Sequence, residues 1–344
     1  MDNKITRRRL SDYLAYEWIL IIIIAVVAII AWELVYTIGA VRLTPGQQFK
    51  FYYDQSLSSS GMGKLFSVID DGVLSYDVLS LDSESLTSEY NVLSVRLSVQ
   101  EGDIIATDCK APAEDAKDKT IRAKTIADNM YGYSYQKMLG DAKTYLRDEF
   151  LKDSLKTGDD AAQKELAKVY DNLDEDKIDA HFRKRMIKDN RFRTEVQKKE
   201  GVELEKARIK KLCEEVCDFE KLLALETQNP ELFFKYTKYE QSVSSATTEE
   251  NKAMYQKLVD KEVSEGRANA IYGLKVAALK DSDVNVGETK VNPTEYFKMA
   301  GADNADDVVI MAFDFWENFQ YDLQFECISF INTIVRQCSD ILDA

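Results

Sequence analysis

The chain has 344 residues, with 60 Asp and Glu against 45 Lys and Arg, a formal net charge of −15. That balance argues against binding a phosphate backbone, so nucleic acid is not an expected partner, and against a domain lying flat on an anionic lipid surface. About three hundred residues beyond the N-terminal region are enough to bury a sizeable core, as one two-lobed domain or as two smaller ones.

The first element in chain order is EWILIIIIAVVAIIAWELVYTIGA, in which Ile19 to Ala31 carries no polar side chain. Residues 18–38 are long enough to cross a hydrocarbon core as a helix, with Trp18, Trp32 and Tyr36 as interfacial rings and Glu33 as the one flaw, costly mid-membrane but tolerable near an interface. Lys4, Arg7, Arg8 and Arg9 precede the span, while Arg42 and Lys50 are the only basic residues close behind it. The positive-inside rule then puts residues 1–17 in the cytoplasm and the remainder outside, at the cell membrane. A small-x-small cleavage site is not obvious after the apolar run, so an uncleaved signal anchor is expected over a signal peptide.

After a linker over residues 39–48, FKFYYD reads as a strand, and a Ser/Gly loop then enters a short helix that stops at Gly72. VLSYDVLSL, 73–81, is a second strand. A helix is expected from Ser85, with its valines leaving a strand open as an alternative. In EGDIIATD, Gly102 ends that helix, Asp103 turns the chain, and Ile104 and Ile105 enter a sheet. Asp108 then stands at the carboxyl end of the strand, where open α/β sheets place their ligands. The order β, α, β, α, β suggests a parallel sheet covered by helices.

Within a region expected to be a helix-rich insertion, 112–267, the chain from about Lys117 to Leu225 is rich in Lys, Glu, Asp and Ala and reads as helical. Ile209, Leu212, Val216, Phe219 and Leu223 are spaced 3, 4, 3, 4, a knobs-into-holes seam that seals a helix against its own domain or against another chain. HFRKRMIKDNRFR, 181–193, holds six basic residues that are expected to pair with neighbouring acidic helices. Asn229-Pro230 breaks the helical run, and Thr248 is a candidate cap for a helix over 249–264. With one histidine, His181, far in sequence from all five cysteines, a zinc site has little support. No metal and no cofactor are expected.

The last part, 268–344, returns to α/β signals: AIYGLKVAAL and DDVVIMAF as strands, NPTEYFKMAG as a short helix, and 325–342 as an amphipathic closing helix. Phe313, Phe315, Trp316, Phe319 and Tyr321 crowd the junction after the last strand. Asp314 and Glu317 are the polar groups there best placed to face a cleft. If the last strand ran parallel beside the strand ending at Asp108, it would bring Asp108, Asp314, Trp316 and Glu317 together as a ligand-binding set.

LSVRLSVQEGDIIATD resembles the helix, turn and strand of the extracellular solute-binding proteins of ABC importers, with IYGLKVAAL matching the return of the chain. The whole also resembles single-pass proteins of low-GC Gram-positive bacteria that join a basic N-terminus, one span and a degenerate domain of this kind. The resemblance implies an α/β fold of N-terminal transmembrane helix plus extracellular solute-binding-like domain, 49–111 and 268–344, interrupted by a large helical insertion or second lobe, 112–267. It departs from the family in lacking the lipid-attachment cysteine and in keeping its three tryptophans, Trp18, Trp32 and Trp316, out of the helical region.

Two functions follow as expectations. One is a membrane-anchored extracellular binding or accessory module without catalysis, tied to the bilayer through residues 18–38. It would be associated with an ABC-type transport system or another envelope protein, and its ligand would be a small solute or a protein. The other is a cell-envelope structural or assembly protein that acts through contacts of its helical region. No HExxH, Gly-rich phosphate loop or GxSxG pattern supports an enzyme.

Overall fold

The computed structural model describes residues 7–39, 47–54, 78, 80–86, 95, 102–110, 121–130, 133–152, 173–186, 189–279, 284–286, 289–291, 305–313 and 323–338. The chain divides into two compact units, Met1–Leu43 and Thr44–Ala344.

The described residues of the first unit form one helix, α1 (Arg7–Gly39). Its most apolar window, Trp18–Val35, has none of its residues buried, and Ile24, Ile29 and Val35 are each about 60% or more exposed. A helix apolar on every side cannot present one face to a core and the other to water. By length and composition it is a candidate membrane span.

The second unit is a mixed α/β domain. Its six-stranded sheet runs in the order β2-β1-β3-β8-β5-β4. These strands are β1 (Gln48–Asp54), β2 (Ser80–Leu86), β3 (Ile104–Asp108), β4 (Phe233–Tyr236), β5 (Ala270–Lys275) and β8 (Val308–Ala312). A separate pair is formed by β6 (Val284–Val286) and β7 (Thr289–Val291). The three N-terminal strands are mutually parallel, as the sequence order suggested. The rest of the sheet is not: β8 is antiparallel to both β3 and β5, and β5 is antiparallel to β4.

Side-chain alternation sorts the two faces. Phe49, Phe51, Ile104, Ala106, Val308, Ile310 and Ala312 point to one core, and Tyr52, Ile105, Val309, Met311 and Phe313 to the other. On β5 the alternation slips: Ile271 and Leu274, three apart, share the first core. The register shift against β4, where Phe234 faces Gly273 and Lys235 faces Ile271, leaves Tyr272 as an extra residue. Such a bulge resets which face the following residues meet. Gly273, beside it, lies so close to β8 that a Cβ there would run into the Val309 side chain and the Ile310 carbonyl.

The first face carries the thick helical layer: α3 (Tyr135–Phe150), α4 (Glu175–Arg185), α5 (Glu195–Ala224) and α8 (Leu323–Cys338). Ile209, Leu212, Val216, Phe219 and Leu223 are all buried within it, so the 3-4 seam closes α5 onto its own domain. Phe330 of α8 lies over Phe49 and Phe51 of β1, with ring centroids 5.7 and 5.8 Å apart. The Tyr135 hydroxyl of α3 donates to the Ile310 carbonyl at 2.8 Å, pinning that helix to β8. The second face is covered by α2 (Arg122–Asn129) through Ala123, Ile126 and Ala127. A shallow helical pair, α6 (Glu240–Ser245) and α7 (Glu249–Ser264), completes the described helices, with Glu262 the one buried residue of α7.

Helix starts are set by local chemistry. Thr194 and Gln197 form a reciprocal capping box at the head of α5, Asp174 caps α4 and Ser134 caps α3. Thr248 caps α7, as its position before the helical run predicts. Two expectations need correction. Ser85 and Leu86, read as a helix start, end strand β2; most of the strand read over 73–81 lies outside the described residues, and its Ser80 and Leu81 open β2. The segment after Pro230, within the region 112–267 expected to be a helix-rich insertion and with no strand expected there, supplies the edge strand β4.

Candidate functional site

The parallel pairing from which the ligand set was expected is not present: β8 runs antiparallel to β3. Asp108 pairs with Val308, while Ala312 pairs with Ile104. The carboxyl end of β8 therefore lies at the opposite end of the ladder from Asp108, roughly 13 Å away at a strand's rise per residue. The physical reason is strand direction: antiparallel neighbours put their carboxyl ends at opposite edges. Asp314, Trp316 and Glu317 themselves lie outside the described residues.

Asp108 sits where the carboxyl ends of β1, β2, β3 and β5 converge. It is buried, 8% exposed. Next to it Cys109 donates its N–H to the Asp307 carbonyl at 2.9 Å. Burial, with Asp307 and Asp108 nearby, raises the Cys109 thiol above its ordinary range despite the Lys275 charge. A thiol so held is a poor nucleophile at neutral pH.

At the other end of the ladder stands a second acid, Asp103, 3% exposed. Its Oδ2 accepts the Lys50 N–H at 2.7 Å and its own N–H donates to the Lys50 carbonyl at 3.1 Å. Its carbonyl accepts from the Phe313 N–H at 2.8 Å and from the Cys327 thiol at 3.3 Å. One residue thus ties β1, β3, the exit of β8 and α8 together. Gly102 makes this approach possible: its φ is +119°, and a Cβ would collide with the Tyr52 ring and crowd Phe313. Burial pushes the Asp103 carboxyl up to about 7; the Lys50 N–H and charge pull it down, and the buried Glu326 pushes it further up. Sequence alone shows Asp103 as a turn residue. Its burial depends on the pairing of β3 with β8, which no local signal reports.

The third polar centre is in the helical layer. Glu205 of α5, 0% exposed, receives Arg208 through Nε at 3.0 Å and Nη2 at 2.8 Å, and Arg185 of α4 at 2.8 Å. His181 Nδ1 lies 3.5 Å from the same carboxylate, and its Nε2 is 2.8 Å from the Tyr145 hydroxyl. Burial alone would raise the Glu205 pKa; the charges of Arg208 and Arg185 overcome it and hold the group well below the usual carboxylate range. Around this centre Arg183 pairs with Asp179 and Glu195, and Arg191 with Asp189. The basic stretch therefore spends these charges on its own domain. The chain's single histidine was the one sequence signal for this cluster, with Glu205 and Arg208 three residues apart on one helix.

Among the described residues, no group of three or more His, Cys, Asp or Glu side chains is placed to hold a metal ion. Cys109, Cys213, Cys217 and Cys327 form no disulfide among the described residues, and burial raises the Cys213 thiol to about 12. The polar groups described here cross-link strands and helices, and the sheet end at Asp108 combines a buried acid, a half-buried thiol and Lys275. No family model, curated protein or solved structure matches the chain.

Proposed function

We propose that the chain is a single-pass, membrane-anchored module whose α/β domain lies outside the cell and acts by binding a solute or an envelope partner, such as a transport system of the ABC type, rather than by catalysis. The observation that carries this reading is the Trp18–Val35 window of α1, 18 residues long and 0% buried. A fully exposed apolar helix of that length is stable in a bilayer and costly in water. Arg7, Arg8 and Arg9 at its start favour an N-terminus held in the cytoplasm. The use of buried acids as links within the fold is in keeping with a binding module. The competing assembly reading loses its main support, because the seam of α5 is filled by the chain's own helices.

The test is accessibility. Lys252 is exposed on α7, and a Lys252→Cys chain in intact cells is expected to react with a membrane-impermeant thiol reagent above the background of the native cysteines. Reaction only after lysis overturns the orientation, and release of the protein by alkaline carbonate overturns the anchor.

A further inference from the structure

Strand β2 ends the sheet with both of its faces in solvent. Leu81, Asp82, Ser83, Glu84 and Ser85 are all exposed, and because side chains alternate between the faces of a strand, such a run leaves neither face covered. On the adjoining β1, Phe49, Phe51 and Tyr52 are 0–1% exposed. SLDSESL is poor in strand-forming residues, yet every one of them is in register with β1. The ladder with β1 therefore holds β2 extended and occupies one of its edges. Among the described residues no strand lies on the other edge. An open edge is a template for a further strand, and proteins blunt it with proline, bulges, covering elements or charge. β2 has no proline and no register shift against β1, so charge is the guard it keeps.

That charge selects what can pair. Asp82 and Glu84 share one face, with Ser83 on the other, and the Ser80 hydroxyl donates to Asp82 Oδ1 at 2.9 Å. A second copy of β2 added antiparallel about a twofold axis puts Asp82 opposite Glu84 when centred on Ser83. Centred on Asp82 or on Glu84, it puts that acid opposite itself; centred further out, only a few residues overlap. Like charges directly opposite are destabilising, so β2 excludes its own copy. A strand with cationic side chains two residues apart meets both acids at once. It gives Asp82 on the outer side the kind of neighbour it already has on β1, where Lys50 is its partner in the register. Main-chain hydrogen bonds supply the affinity of an added strand, and its alternate side chains supply the selectivity.

We propose that β2 is a docking edge for an extended segment of a basic envelope protein, which adds a strand to the sheet with cationic side chains at alternate positions facing Asp82 and Glu84. The inference rests on the binding reading above and names the class of its partner. The full-length chain, in neutral detergent at about 0.15 M salt, is titrated into a labelled, end-blocked peptide of alternating threonine and lysine matched in length to β2, with fluorescence anisotropy as the readout. Wild type is expected to bind it, and the Asp82→Asn, Glu84→Gln chain to bind about tenfold more weakly, the scale of two cross-strand ion pairs. The Asp82→Lys, Glu84→Lys chain should instead prefer the threonine–glutamate peptide. The lysine peptide N-methylated along its backbone keeps its charge but cannot donate to a strand, and should not bind wild type. A Glu249→Gln, Glu250→Gln chain, altered at exposed acids of α7, should bind as wild type does. Wild type that ignores the lysine peptide overturns the docking edge. Equal binding of the N-methylated peptide, or equal losses in the β2 and α7 variants, also overturns it, because a chain of net charge −15 attracts any cation. Should a β2 variant fail to fold, the two lysine peptides on wild type still decide. Absent peptide binding leaves the anchor standing, whereas labelling of Lys252→Cys only after lysis removes the outside location and leaves the docking edge intact.

Discussion

Asn332 of α8 grips Glu215 of α5 twice: its Nδ2 donates to the Glu215 carbonyl at 2.8 Å and to the carboxylate at 2.7 Å. Asn332 is 0% and Glu215 4% exposed, and Arg336 completes the junction by reaching Glu215 at 2.9 Å and pairing with Asp218. The closing helix is thus fixed in rotation as well as in place. Replacing Asn332 by Leu removes both bonds and leaves the carboxylate to Arg336 alone. The expected loss is about 2 kcal/mol, the scale of a buried hydrogen bond to a charged group, read from urea unfolding of the full chain in detergent. A loss below about 0.5 kcal/mol, within the range of ordinary surface substitutions, would show that the junction is not structural.

Asp103 sets a pH dependence of a definite sign. Its folded pKa of about 7 lies above the ordinary 3.8, so the fold favours the protonated acid. Its contribution is greatest below pH 4, declines as pH rises through the window from about 4 to 7, and is level above it. The full swing is of order 4 kcal/mol. Asp103→Asn keeps an acceptor for the Lys50 N–H and removes the titration. The stability of this variant relative to wild type should rise across that window; a flat difference would falsify the assignment.

Glu205 runs the other way. Held low by Arg208 and Arg185 against the effect of burial, it stabilises the fold above the unfolded glutamate pKa, and that stability is lost as pH falls through its depressed folded value. Glu205→Gln leaves two guanidinium groups facing a neutral amide and is expected to cost about 3–5 kcal/mol, as for other broken buried ion pairs. His181→Phe, which keeps the edge-on contact with Phe150 at 4.9 Å, should cost far less. Equal losses in the two variants would assign the energy to the packing of α4 on α5 instead.

Two glycines should respond with opposite sign. At Gly102 an alanine meets both a positive φ and the Tyr52 ring, so Gly102→Ala is expected to lose about 2 kcal/mol or more. At Gly140, exposed in α3 with nothing near a built Cβ, alanine is expected to gain about 0.5–1 kcal/mol by helix propensity. Thermal midpoints moving in the same direction would contradict the backbone account.

The parts of this fold visible in the sequence are those set by local periodicity. The α1 span, the strands at FKFYYD and VVIMA, and the 3-4 seam of α5 each carry their pattern in consecutive residues. Strand direction has no such signature. Nothing in IIATD or VVIMA distinguishes a parallel from an antiparallel neighbour, so the antiparallel run of β8 beside β3 has no local signal. FFKY is too short to show alternation and follows a helical run, so β4 was hidden by its surroundings. Asp103 looks like any Asp after Gly; only the arrival of β8 and α8, more than two hundred residues later, buries it.

The placement of β8 also governs when the domain can be completed. β8 lies between β3 and β5, yet it is made after both, so during synthesis those two strands wait with the edges that β8 will fill. Long-range pairings of this kind form late and leave intermediates with open strand edges. Chains ending before Ala305 are accordingly expected to be cut readily by proteases under conditions in which the full-length domain resists, and a truncated chain as resistant as the whole would show that the sheet closes without its keystone.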